Sequence, residues 1–238
     1  MNKKHYTNKI YHLRNNIRIL FQERKRIESL KIYEKRCLSK GYKFIAGIDE
    51  VGRGSLAGPV VAAAVVIKNI EEFFIAFLKD SKKLSRKKRE TLFQLIIDKS
   101  SSVGIGIVES EIIEKINIAQ ATFLAMKRAI IGLEKTPDYI LVDAFKIPYI
   151  RIEQNNIIKG EDSSISIAAA SVVAKVYRDK IMQDMHKKYP EYQFNKNSGY
   201  GTKRHIIAIK EYGICPIHRK TFKSVLSGKN NLLLFDKN

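Results

Sequence analysis

Two apolar runs separated by a glycine-rich loop, FIAGIDE at 44–50 and GPVVAAAVVI at 58–67, constrain the fold more than any other stretch of the chain. Apolar residues punctuated by glycine in this way read as two adjacent core strands joined by the loop. A basic segment, Lys79–Arg89, follows, then a helix around Glu90–Asp98, a strand at Val103–Val108 and a helix over Glu111–Ile131 with apolar residues at helical spacing. Tyr139–Val142 reads as a short buried strand ending at Asp143, and Asn155–Lys159 as another. Ser163–Lys188 is a long alanine-rich helix whose small residues permit close packing on a sheet, and a last helix runs from Lys203 to Tyr212. Strands alternating with helices give an α/β layer fold, and no internal repeat is visible.

Ahead of the first strand the composition is different. Residues 1–40 hold 12 basic and 3 acidic residues, with Ile17, Leu20, Phe21, Ile27, Leu30 and Leu38 at helix-like intervals, which reads as a basic helical extension. The expected organisation is therefore an extension at 1–40, a main domain at 41–222 and a C-terminal tail at 223–238. Net charge is +20, from 44 Lys and Arg against 24 Asp and Glu, more than solubility requires. A polyanionic partner is the direct explanation; a coding bias toward Lys, Ile and Asn, visible in Asn155–Asn156–Ile157–Ile158, is the alternative. Two isolated cysteines, Cys37 and Cys215, exclude a disulfide framework or zinc knuckle and point to a reducing compartment. No stretch approaches the roughly 20 apolar residues of a membrane span, and the start lacks the apolar core of a secretion signal, so a cytoplasmic protein without a membrane partner is expected.

Chemistry is concentrated in GIDEVGRGSLAGP, where Asp49 and Glu50 end a buried strand before a permissive loop. Ligand sites in α/β sheets gather at strand ends, and carboxylates there are hard oxygen ligands suited to magnesium or manganese. Spacing alone leaves a solvated acid pair equally open. Residues 52–57 also fit the loose pattern G-x-G-x-x-A, but a dinucleotide fingerprint needs a helix to open at the loop, whereas Gly58–Pro59 and VVAAAVVI favour a strand. A P-loop fails because no Gly-Lys-Ser/Thr follows at the required spacing. What remains is a loop whose glycines let backbone N–H groups approach a sugar or phosphate, with Arg53 beside them.

GIDEVGRGSLAGPVVAAAVV resembles the opening signature of the ribonuclease HII family. DSKKLS at 80–85, ATFLAMKRAI at 122–131, YILVDA at 139–144, KGEDSSISIAAASVVAKVYRD at 159–179, NSGYGTKRH at 197–205 and HRKTF at 218–222 agree with that family in order, across most of residues 45–222. Arg53 separates the sequence from the related HIII group, which generally lacks arginine in this loop. The resemblance implies a ribonuclease H-like fold, a mixed central sheet flanked by helices with a helical C-terminal part. It also implies an endonuclease that cuts the RNA strand of RNA–DNA hybrids and nicks duplex DNA 5′ to embedded ribonucleotides.

Carried over by position, the resemblance makes Asp49, Glu50 and Asp143 ligands for two Mg2+ or Mn2+ ions, with cleavage leaving 3′-hydroxyl and 5′-phosphate ends. Where the family commonly has Lys-Gly-Asp this chain reads Lys159–Gly160–Glu161–Asp162, so Glu161 or Asp162 is the fourth catalytic carboxylate, or these acids simply precede and cap the next helix. The resemblance assigns recognition of the ribose 2′-hydroxyl to Gly52, Arg53, Gly54 and Tyr200, although a tyrosine between glycines, taken alone, reads as a turn residue. Lys82 and Lys83 are expected to contact phosphate, unless their basic run is merely solvated. Structural or phosphate-contact roles suit His205, His218 and Arg219, while His5, His12 and His186 match no motif. A monomer is expected. The rivals are another two-metal nuclease such as a junction resolvase, which would not need a ribonucleotide, and a binding protein without catalysis.

Overall fold

The computed structural model describes residues 3–73, 85–222 and 225. Helices α1 (Lys3–Leu30) and α2 (Ile32–Ser39) lead into β1 (Ile45–Val51) and β2 (Val60–Ile67), then α3 (Arg86–Lys99), β3 (Ser100–Val108), α4 (Ser110–Ile131), β4 (Tyr139–Asp143) and β5 (Glu153–Ile157). Three helices follow: α5 (Ile165–Lys188), α6 (Phe194–Asn197) and α7 (Lys203–Tyr212). One five-stranded sheet has the order β3-β2-β1-β4-β5, with β1–β2 and β2–β3 antiparallel and β1–β4 and β4–β5 parallel.

The unbroken burial of β2 explains the layers. Ala62 and Ala64 face α4 through Ala121, Ala125 and Ala129, and Ala63 and Val65 face α5 through Ala169 and Val173. Side chains this short allow a helix on each face at close range. On the α5 face contact is tight at Gly47 of β1, where an added Cβ would lie 2.1 Å from the Ser166 carbonyl carbon of α5. The sheet end that carries the acids is thereby pressed against the start of α5.

Packing continues across residue 40. Ile27 and Leu30 of α1 belong to the same apolar cluster as α5, and Cys37 of α2 packs with Ile45, Tyr139, Leu141 and Ile167. Glu34, fully buried, accepts from the Ser164 hydroxyl (2.5 Å) and from the Ser166 hydroxyl (2.6 Å) and amide (3.0 Å). A carboxylate there answers the unpaired amides and positive end of α5, and burial raises its pKa. Residues 14–22 of α1, in contrast, are exposed. No described helix is long and apolar enough to cross a membrane.

Two elements depart from the sequence reading. The helix expected over Glu111–Ile131 is broken at Asn117, whose φ is 64° and whose Oδ1 accepts the amides of Ala119 and Gln120, so a new helix start is capped inside it. The strand expected at Asn155–Lys159 starts and ends two residues earlier. Its partner β4 ends at Asp143, opposite Ile157, and the chain then turns through Lys159 (φ 56°) into a 3-10 turn at Gly160–Asp162.

Candidate active site

Parallel pairing of β1 with β4 sets the acids side by side. Ile48 pairs with Val142, so Asp49 and Asp143 occupy the next position on each strand and, because side chains alternate, the same face, toward α5. Asp49, only 5% exposed, accepts the Glu50 amide at 2.8 Å. Asp143 accepts the Gly160 amide at 2.7 Å, which docks the 3-10 turn on the end of β4. That turn carries Glu161, whose Oε2 accepts the Ser171 hydroxyl of α5 at 3.1 Å, and Ser171 also stands near enough to Asp49 to favour its ionised form. Asp162, one residue further, is exposed.

This cluster is short of positive charge. Burial first, then the charges of Glu50 and Asp143, push the Asp49 pKa up to about 8, against the opposing bonds from Ser171 and the Glu50 amide. Burial also raises Glu50, although Arg53 stands 3.3 Å from its Oε1. Ser171 has one proton for two carboxylates, so both cannot be served at once. All-oxygen donors that repel one another suit a hard divalent cation, which would favour their ionised forms. Among the described residues no three His, Cys, Asp or Glu side chains are grouped tightly enough to hold an ion unaided, so the fit lies in the donor chemistry and charge.

Glu50 opens onto a cleft of about 500 Å³ lined also by Gly52, Arg53, Gly54, Ser171, Lys175 and Tyr200. Residues nearly 150 apart in the chain thus line one cleft. Gly52 is demanded by the fold: its φ is 93° and a Cβ would meet Arg178 Nε at 2.3 Å. Gly54 is not, since nothing lies within 4 Å of a Cβ there, and it is exposed. The Tyr200 ring, 38% exposed, sits over the Arg178 guanidinium at 5.5 Å. Arg53 lies over the Phe145 ring at 5.1 Å.

Two buried arginines hold these walls together. Arg178 donates to the carbonyls of Pro59 (2.9 Å), Ala57 (3.1 Å) and Ser198 (2.8 Å), and Arg219 donates to those of Gly58 (2.9 and 3.1 Å) and Arg53 (2.9 Å). Backbone bonds complete the junction: Leu56 N–H to Gly199 O (2.8 Å), Gly58 N–H to Ile217 O (2.8 Å) and Arg219 N–H to Leu56 O (2.8 Å). Burial lowers both guanidinium pKa values, Arg219 to about 9.

Asp49, Glu50, Asp143 and Glu161 are thus linked through neighbouring strand ends and Ser171, while Gly52, Arg53, Gly54 and Tyr200 border the adjoining cleft. Lys82 and Lys83 lie outside the described residues. Ser171, Lys175, Arg178 and Asp179 were given no role by the motifs. Asp179 gathers Lys175 Nζ (2.5 Å), Ser198 Oγ (2.9 Å) and Arg89 Nη1 (3.1 Å), which orients Lys175 beside the cleft. Their signal was present as polar residues at helical spacing in α5.

The family model described as Ribonuclease HII matches residues 46–225. The ribonuclease HII of Caldanaerobacter subterraneus subsp. tengcongensis is 53% identical over 210 residues, 88% of this chain and 86% of that protein. The ribonuclease H2 of Pyrococcus horikoshii OT3 aligns with a TM-score of 0.70 at 29% identity, covering 82% of this chain and 100% of that one. Bst ribonuclease HIII, solved in complex with Mn2+, shares the fold at TM-score 0.64 and 18% identity, over 83% of this chain and 71% of that one.

Proposed function

The chain belongs to the ribonuclease HII family and is a ribonuclease H-type endonuclease, and on that premise we propose that it cuts the RNA strand of RNA–DNA hybrids and nicks duplex DNA 5′ to embedded ribonucleotides. The products are a 3′-hydroxyl and a 5′-phosphate, and the enzyme acts as a cytoplasmic monomer. Asp49, Glu50 and Asp143 hold the divalent cations, with Glu161, tied to Ser171, as the fourth carboxylate in preference to exposed Asp162. When bound, two Mg2+ or Mn2+ ions supply Lewis acidity at the scissile phosphate. Gly54 leaves its backbone open to a sugar, Tyr200 faces that sugar from the opposite wall, and Lys175 offers a phosphate contact.

The observation that carries this reading is the single cleft shared by Glu50, the Gly52–Gly54 loop and Tyr200: a carboxylate centre beside two elements able to sense a 2′-hydroxyl. A duplex containing one ribonucleotide, incubated with either metal and mapped to the nucleotide, tests it. The cut is expected on the 5′ side of the ribonucleotide, and an all-DNA duplex is expected to stay intact. Asp49→Asn and Asp143→Asn should nearly abolish cleavage while duplex binding persists. Near-normal turnover in either variant, or cleavage of the all-DNA duplex, would refute the assignment.

A further inference from the structure

Two buried histidines stand behind Tyr200, joined nitrogen to nitrogen. His205 of α7 and His218 have their Nε2 atoms 3.0 Å apart and are almost fully buried, with Phe194 edge-on to His205 and Tyr192 edge-on to His218. The position of each proton follows from the ends of the chain of bonds. The Cys215 backbone N–H can only donate, and it points at His218 Nδ1 from 3.0 Å, so this nitrogen accepts and the neutral ring carries its proton on Nε2. That proton meets His205 Nε2, which must then be bare. His205 therefore carries its own proton on Nδ1, 2.9 Å from the Tyr200 carbonyl oxygen.

One tautomer of each ring satisfies all four nitrogens, and the donors run from Cys215 through His218 and His205 to Tyr200. A charge on either ring would set two N–H groups against each other. Burial acts in the same direction, lowering the pKa of both rings, that of His218 to about 4. The two ends of this relay are tied to opposite walls of the cleft. His218 forms a β-bridge with Ala57 beside the glycine loop, and at the other end the Tyr200 carbonyl also accepts the Thr202 amide at 2.8 Å.

We propose that His205 and His218 are positioning residues that set the distance between Tyr200 and the Gly52–Gly54 loop, and through it the selection of a ribose at the cut. This rests on the reading of Tyr200 as a sugar contact. Neither imidazole is among the residues lining the cleft; both act through the backbone of Tyr200.

Asparagine and glutamine separate the two halves of the relay, because an asparagine amide reaches the place of Nδ1 and a glutamine amide that of Nε2. His205→Asn keeps a donor for Tyr200 and abandons His218; His205→Gln does the reverse. With kcat and KM measured on the single-ribonucleotide duplex, His205→Gln and His205→Asn should each lose about tenfold in kcat/KM, the worth of one such hydrogen bond, because either change breaks the span between Tyr200 and the loop, and an unimpaired His205→Asn would remove His218 from the proposal. In a Tyr200→Ala background His205→Gln should cost nothing further. Additive losses would overturn the inference and leave the Tyr200 reading standing, whereas full activity of Tyr200→Ala would overturn both. Imidazole 15N spectra of the unaltered protein give a measurement that does not depend on variants folding. His218 is expected as the Nε2–H tautomer and His205 as the Nδ1–H tautomer, and either the opposite tautomers or a titration near pH 6.5 would refute the relay.

Discussion

Replacing Arg178 with methionine removes three hydrogen bonds from a side chain with no exposed surface, and its cost can be worked from the geometry. Each charge-assisted bond is worth about 1.5–3 kcal/mol net, and each carbonyl left without a donor costs about 1–3 kcal/mol. Against this, methionine fills much of the volume and ends the penalty of burying a cation, itself several kcal/mol. A net loss of about 3–5 kcal/mol follows, or roughly 10 °C in Tm for a chain of this size, at about 2–4 °C per kcal/mol. Lysine should do no better. Its single nitrogen cannot serve carbonyls on three segments, and an ammonium is harder to strip of water than a guanidinium. Urea denaturation followed by circular dichroism measures both variants, and cleavage of a single-ribonucleotide duplex reports whether Gly52 and Tyr200 still face each other. Arg178→Lys within about 1 kcal/mol of the parent would refute the argument from fork geometry, since that loss is less than one such bond.

The pH dependence of the metal-free protein follows from Asp49, whose folded pKa near 8 lies above its unfolded value. The folded state binds the extra proton between pH 3.8 and 8, so this group destabilises increasingly as pH rises through that window. Asp49→Asn should therefore stabilise the metal-free protein by on the order of 5 kcal/mol at pH 8, with the difference fading toward pH 4, and a pH-independent difference in urea stability would refute it. His218 has the opposite sign, because its folded pKa near 4 lies below its unfolded value of 6.5. Its contribution, up to about 3 kcal/mol, is present above pH 6.5 and lost as pH falls to 4, so His218→Gln should remove that slope from the unfolding curve. Tyr200→Phe keeps the ring and should cut the single-ribonucleotide duplex better than Tyr200→Ala; equal rates would show that the ring contributes nothing. Deleting residues 1–22 removes five basic and no acidic residues without touching Ile27, Leu30 or Glu34, so melting temperature should hold while duplex affinity falls. If all five contact phosphate, the slope of log affinity against log salt should drop by about 4.5 in an Asp49→Asn background, and an unchanged slope would exclude a role for this segment in binding.

Local sequence was sufficient wherever a property is carried by neighbours in the chain. The buried run of β2, the acids that end β1 and β4, the glycine loop and the polar-to-apolar spacing of α7 are all legible because periodicity and turn chemistry act over a few residues. The order of the motifs was enough to identify the family. Only tertiary structure decided which of these pieces meet. The parallel register of β1 on β4 brings Asp49 beside Asp143, and the amide of Gly160 on Asp143 turns Glu161 rather than Asp162 toward Ser171. Periodicity had no means of revealing that Arg178 would clasp a loop 119 residues away, that Glu34 would seat in the start of α5, or that His205 would find His218. The physical reason is that a buried polar group must find a partner, but the rule does not say which one. An apolar face is specified by spacing along one element, whereas the partner of a buried arginine, glutamate or histidine is specified by the geometry of all the elements around it.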